Sequence, residues 1–319
     1  MPQQKLDNLY NIALKDFMGV TNKETLLILC DEPLREIGIA LFDQGKKLAK
    51  DAYYLEIKPM EINGQEPADY IAKLMQEVDV VICATTKSLT HTDARRNACA
   101  KGTRVGTMPG ITMETVQRCF SADYNEILDT TARVQKKLAP CSTVRVETKL
   151  GTNLVLPMKD RNAIASTGVI RKPGEGGNLP SGEVYLAPWE GKTNGVLAID
   201  GSIAGIGIIK EPVFIEIVDG MATKFTGGED AKKLQDMLDA VSPMARSVAE
   251  FGFGTNYKAQ ICGKILEDEK VLGTIHIAFG NNVGMGGNVN VPIHIDGIVT
   301  KPTVYFDDEV VMDKGKLLI

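Results

Sequence analysis

The sequence predicts a two-part α/β protein. An N-terminal doubly wound, mostly parallel sheet domain spans residues 1–140, and a C-terminal α+β domain rich in antiparallel strands spans residues 141–319. Three observations predict this. At 319 residues the chain is too long for one ordinary core. Up to about residue 140 it alternates wholly apolar strand-like runs with helix-like segments, the pattern of parallel strands buried on both faces. From about Cys141 strands become frequent, glycine rises and long helices nearly vanish.

Taken in order, residues 25–30 (TLLILC) read as a buried strand, 34–48 as a helix, 51–57 as a strand and 68–76 as a helix. Residues 78–84 (VDVVICA) form the next apolar strand, 93–100 a helix and 103–107 a short strand, followed by helices at 112–120 and 124–138. No G-x-G-x-x-G follows the first strand, so a dinucleotide site of the usual kind is not supported. In the second domain, strands are expected at 142–148, 153–157, 182–187, 195–199, 213–218, 222–225, 257–265, 273–279, 293–299 and 304–306. One helix is clear at 230–240, where Ala231, Leu234, Leu238 and Val241 recur at helical spacing and Pro243 ends the run.

Composition excludes several classes. The net charge is −5 with no Lys/Arg run, which argues against nucleic acid as a partner. No apolar run reaches the roughly 18 residues of a membrane span, and the N-terminus lacks a signal-peptide pattern. The six cysteines are scattered without a C-x-x-C, which reads as reduced thiols in a cytoplasmic protein and argues against a cysteine zinc site.

Chemistry concentrates around the histidines. There are three, and two lie late in the chain, in Thr274-Ile275-His276-Ile277-Ala278-Phe279 and Pro292-Ile293-His294-Ile295-Asp296. On an extended strand His294 and Asp296 share a face while Ile293 and Ile295 point the other way. Imidazole and carboxylate together among isoleucines suit Zn, Fe, Mn or Co. Glu183 follows a turn-rich loop, and Glu250 sits in Val248-Ala249-Glu250-Phe251-Gly252-Phe253-Gly254; a buried carboxylate is costly unless paired or metal-bound. Each residue taken singly also fits a hydrogen-bonded core histidine or a salt-bridged glutamate. His91, with Arg95 one helical turn on, is a candidate substrate contact; the alternative is a solvent histidine beside a capping Thr90 or Thr92. The glycine-rich run 281–288 reads as a lid or a hairpin connection, Trp189 as a pocket wall or core residue, and Asp307-Asp308-Glu309 as a charged turn.

The second domain resembles the M29 metallopeptidases, the aminopeptidase T and aminopeptidase S group. The resemblance is carried by Asn178-Leu179-Pro180-Ser181-Gly182-Glu183-Val184, by Gly273 to Gly280, by His294-Ile295-Asp296 and by the strand around Val304-Tyr305-Phe306; Leu89 to Arg95 and Thr107 to Thr112 extend it to the first domain. It implies a metal-dependent hydrolase in which Glu183, Glu250, His276, His294 and Asp296 hold two Zn, Co or Mn ions. Water activated there would attack a peptide-like amide of a small peptide or small molecule, in a homodimer, with a further glutamate as general base. The family's tyrosine after the first ligand histidine is here Val283. The same superfamily includes mononuclear iron(II) dioxygenases that open dihydroxypyridine rings with two histidines and an aspartate, a set that His276, His294 and Asp296 supply. The expectation is therefore a hydrolase, with an iron(II) dioxygenase as the alternative and an inactive binding protein of the same fold as a third reading.

Overall fold

The computed structural model describes residues 3–319. The chain divides into two units, residues 1–125 with 166–181, and residues 126–165 with 182–319. This differs from a division near Pro140 in two ways. The amphipathic helix Tyr124–Leu138 buries Val134 and Leu138 in the core of the second unit, so sequence order at Pro140 does not mark the change of core. Residues 166–181 return to the first unit and add the short strand Gly176–Asn178 to its sheet.

The first unit holds a five-stranded sheet in the order Asp51–Ile57, Thr25–Asp31, Val80–Ala84, Arg104–Thr107, Gly176–Asn178, with every pairing parallel. Its central strand Val80–Ala84 is buried throughout, as the unbroken apolar run requires. The fifth strand escaped sequence reading because a three-residue Gly-Gly-Asn segment carries no strand propensity.

The second unit contains two sheets. An eight-stranded antiparallel sheet runs from Met221–Thr226 through Val213–Val218, Asn194–Ile199, Asn153–Pro157, Thr143–Glu147 and Thr303–Phe306 to Glu309–Asp313 and Lys316–Leu317. A seven-stranded sheet has at its centre Glu183–Leu186, Val248–Gly254, Thr274–Gly280 and His294–Thr300, each antiparallel to its neighbour. One core cluster joins them: Val144, Leu156, Leu197, Ile215 and Val304 from the first sheet with Val184, Phe251, Phe253, Ile275, Ile277 and Val299 from the second, and Leu234 and Leu238 of the helix Gly228–Asp239.

The expected strand at 257–265 is absent. Its backbone N–H groups at Gln260, Cys262 and Gly263 are bound by the carboxylates of Glu267 and Asp268 instead of a neighbouring strand, and the short helix Ile265–Asp268 follows. The run 281–288 is the connection between two antiparallel strands, with a 3₁₀ turn at Val283–Met285. Trp189 is 42 % exposed beneath the Arg161 guanidinium, so it is not a core residue. All six cysteines carry free thiols. Among the described residues no helix is long and apolar enough to cross a membrane.

Candidate metal centre

The face of the seven-stranded sheet opposite its core carries an unusual set of side chains. Cross-strand partners share a face. Gly254 pairs with Glu183, Gly252 with both Tyr185 and His276, Ala278 with Asp296, and Gly280 with His294. Glu250 lies two residues before Gly252 and points the same way. So Glu183, Tyr185, Glu250, His276, His294 and Asp296 gather on one side, while Phe251, Phe253, Ile275, Ile277 and Ile295 enter the core on the other. The five residues expected to be ligands are thus brought together by register alone.

Two glycines make room for them. A Cβ on Gly252 would lie 1.8 Å from His276 Nε2 and 2.1 Å from Cε1, so the imidazole rests flat on the bare backbone. A Cβ on Gly254 would lie 2.1 Å from the Val271 carbonyl oxygen. That close approach seats the segment after Ile265–Asp268, which delivers Glu269 and Lys270 to the same face.

The polar contacts form one chain. His294 Nε2 lies 3.1 Å from Glu250 and 3.4 Å from Asp296, and His276 Nε2 lies 3.1 Å from the other oxygen of Glu250 and 3.7 Å from Glu183. His294 Nδ1 donates to the Asn281 carbonyl at 2.7 Å, which leaves Nε2 as the nitrogen aimed at the carboxylates. Lys270 Nζ donates to Glu183 at 2.7 Å and to Glu269. His276 is fully buried and its Nδ1 has no hydrogen-bond partner among the described residues. Among the described residues, two groups bring three ligand atoms within 4.8 Å of one another: Glu250, His294 and Asp296, and separately Glu183, Glu269 and His276.

The charge balance fits a cation. Four carboxylates, Glu183, Glu250, Glu269 and Asp296, face one ammonium, Lys270; imidazoles that ligate a metal are neutral. Oxygen and imidazole donors with no thiolate suit Fe, Mn, Co or Zn ions.

Without a cation the groups titrate against one another. Burial disfavours charge on His276, yet its bond to Glu250 and the surrounding carboxylates raise it to about 9. His294 is raised well above its ordinary value, Asp296 and Glu250 outweighing burial. Glu250 and Asp296 fall below the usual carboxylate range despite burial, because the imidazoles bond to them. Burial pushes Glu183 up and, with the charges of Glu183 and Asp296, Glu269 to about 8; both rises are opposed by Lys270. A histidine raised above its unfolded value of about 6.5 stabilises the metal-free chain fully below that pH. The contribution is lost as pH rises through 9, where folded His276 gives up its proton. Chelator-treated protein is therefore expected to melt at progressively lower temperature between pH 7 and pH 10. Metal affinity should rise over the same interval, since the ion displaces those protons. Melting curves and cobalt(II) titrations at several pH values test this, and a pH-independent affinity would contradict it.

Two of the expected site residues belong to the first unit. His91 is exposed in the turn before the helix Asp93–Ala100, and Thr92 caps that helix, its hydroxyl accepting from the Arg95 N–H. The Arg95 guanidinium packs beside Gly176 of its own unit. Sequence reading missed Glu269, Lys270, Tyr185 and Gly252. Only Gly252 left a signal, the Glu-Phe-Gly-Phe-Gly alternation that puts glycine on the polar face of the strand.

The fold matches that of a 2,5-dihydroxypyridine dioxygenase from Pseudomonas putida KT2440, with a TM-score of 0.84 at 19 % identity over 100 % of this chain and 98 % of the other. It also matches wild-type AmpT from Thermus thermophilus, with a TM-score of 0.73 at 16 % identity over 100 % of both chains. No curated protein sequence matches significantly. The M29 resemblance thus holds as likeness of fold. The expectation of a hydrolase, an aminopeptidase or a zinc metalloprotease is overturned by the family model that matches residues 20–319, which describes an oxygen-inserting enzyme. Over that length the match establishes the family, and the chain belongs to the 2,5-dihydroxypyridine 5,6-dioxygenase (NicX) family of enzymes.

Proposed function

We propose that the chain is an iron(II)-dependent ring-opening dioxygenase acting on a dihydroxypyridine. The observation that carries this reading is the group Glu250, His294 and Asp296 beside His276, on the face of the sheet opposite its core, in a chain of this family. Two histidines with carboxylates are the donor set of non-haem iron oxygenases. His276, His294 and Asp296 would hold the ion, with Glu250 in contact with both imidazoles. A bound ferrous ion supplies the one-electron chemistry that lets O2 react with an electron-rich ring. The protein residues orient and exclude. The Asn281 carbonyl fixes the His294 tautomer, and the bare backbone of Gly252 fixes His276. His294 keeps 23 % of its side chain exposed, so the group is reached from its side. Tyr185 lies on the same face with its phenol raised, by burial first and then by Glu183 and Glu250. It stays protonated at neutral pH and serves as a donor to a ring oxygen or nitrogen.

Cleavage of the C5–C6 bond of 2,5-dihydroxypyridine with both atoms of O2 retained gives a carboxyl group at C5 and an N-formyl group at C6. Protein loaded with iron(II) under anaerobic conditions should consume one O2 per dihydroxypyridine, with loss of ring absorbance. Bound iron without oxygen uptake on this substrate would refute the assignment. Tyr185→Phe is expected to lower kcat/KM about tenfold, the worth of one hydrogen bond of about 1.4 kcal/mol, with iron content unchanged. An unaltered kcat/KM would remove the phenol from the scheme.

A further inference from the structure

The loop that carries Asn281 is gripped by an ion pair from elsewhere in the second unit. Residues 281–291 connect the strands of His276 and His294 and contain three glycines. Exposed, glycine-rich connections are ordinarily among the first segments to open. Here Asn282 is fully buried and serves as a hub. Its amide nitrogen donates to Glu190 at 2.9 Å, its amide oxygen accepts from Val289 N–H at 2.8 Å, and its carbonyl accepts from Met285 and Gly287 N–H at 3.0 Å each. A Cβ on Gly287 would lie 2.1 Å from Asn282 Cγ. The same Glu190 oxygen accepts from Asn288 N–H at 2.7 Å. Its other oxygen bonds Arg161, whose guanidinium also donates to the Gly286 carbonyl at 2.7 Å. Trp189 is the platform beneath Arg161, 4.0 Å from the guanidinium carbon to the ring centre. The Trp189 backbone N–H donates to the Pro157 carbonyl at 2.9 Å and its indole N–H to the Lys159 carbonyl at 2.8 Å. Pro157 ends a strand of the eight-stranded sheet, so the grip is rooted in that sheet.

We propose that Arg161 and Glu190 are positioning residues for His294. They hold the loop so that the Asn281 carbonyl stays against His294 Nδ1, and so keep Nε2 aimed at the metal. This rests on reading His294 as a ligand. The route is short. Asn281 adjoins the hub, and its carbonyl lies 2.7 Å from Nδ1. Its N–H donates to the Ile293 carbonyl at 2.7 Å, and its side-chain nitrogen donates to the Asn290 side chain at 3.2 Å and to the Val291 carbonyl at 3.1 Å. A carbonyl on a loop orients an imidazole only as well as the loop itself is held. His276 is fixed by burial against Gly252, whereas 23 % of the His294 side chain is exposed. For His294 the ion pair supplies what packing does not. The Arg161 and Glu190 side chains are 8 % and 20 % exposed. A pair buried to that extent is a poor source of stability in itself, while bonds made by charged groups are stronger than neutral ones. Its use therefore lies in the bonds it makes to Asn282, Gly286 and Asn288. Both residues act through the loop.

The test uses the full-length chain loaded with cobalt(II), which shifts the Nδ1–H protons of bound imidazoles far outside the ordinary proton NMR range. The wild type should show two such exchangeable signals, the slower to exchange with solvent belonging to the fully buried His276. In Glu190→Ala the His294 proton should exchange about tenfold faster, as for the loss of one hydrogen bond. The His276 proton should keep its wild-type rate, and it reports any loosening of the whole fold. Cobalt(II) affinity should fall about tenfold. Glu190→Gln keeps an acceptor oxygen for Asn282 and Asn288 and should return the His294 proton toward its wild-type rate. Unchanged exchange in Glu190→Ala, acceleration of both protons alike or of His276 alone, or a Glu190→Gln chain as fast as Glu190→Ala overturns the proposal and leaves the metal-centre reading intact. Absence of the two signals in the wild type removes the reading of these histidines as ligands, and the proposal with it. Should Glu190→Ala fail to fold, Arg161→Lys keeps the charge but not the forked contact with Glu190 and Gly286. It carries the same expectation, and the same exchange results overturn the proposal.

Discussion

His294→Ala and Asp296→Asn are each expected to yield a folded chain that retains no iron and consumes no oxygen with a dihydroxypyridine. His294 touches both Glu250 and Asp296, at 3.1 Å and 3.4 Å, so its removal opens the group at its centre. Loss of an outer partner of a metal ligand costs about 10- to 100-fold in affinity, and loss of a ligand itself should exceed that. The fold should survive, because the apolar faces of these strands pack on the far side of the sheet: Ile295, Ile277 and Phe251 are in the core and none of them contacts solvent appreciably. Near-ultraviolet circular dichroism reports the packing, and iron content and oxygen uptake report the site. A variant with wild-type iron and wild-type rate would sink the assignment of these residues.

Gly252→Ala is expected to damage both the fold and the metal centre. In a strand interior alanine is ordinarily tolerated at least as well as glycine. Here the added carbon would fall 1.8 Å from His276 Nε2, and that ring is fully buried with nowhere to retreat. Overpacking of this kind costs about 1–3 kcal/mol, and displacing His276 also breaks its contact with Glu250. We expect a lowered melting temperature together with about 10- to 100-fold weaker metal binding, as for a lost supporting group. Gly284→Ala, where an added Cβ meets nothing within 4 Å, is the control and should be silent. A Gly252→Ala chain that binds metal like the wild type would show that the ring does not need the bare backbone.

The polar face of the centre was partly legible in the chain. His294 and Asp296 lie two apart between isoleucines, and the alternation of a half-buried strand puts them side by side whatever else the fold does. His276 stands within an equally apolar run. Glu183 and Glu250 could be suspected from their glycine-rich settings, but their convergence on the histidines came from the family resemblance. The same resemblance misled on chemistry, because peptidases and ring-opening dioxygenases share this frame and differ in what fills it.

Local pattern by itself determined the parallel sheet of the first unit, the antiparallel sheets of the second, and the strands that carry His276, His294 and Asp296, because a strand's period and burial are properties of neighbouring residues. Tertiary structure alone decided what stands opposite them. Glu269 and Lys270 belong to a Glu-Asp-Glu-Lys run that reads as solvated surface, and residues 257–265 read as a strand. The segment turns inward because Gly254 admits its backbone and because Glu267 and Asp268 satisfy the N–H groups a strand partner would have taken. Charges buried in that way are paid for by partners far away in sequence, and no local pattern records those partners.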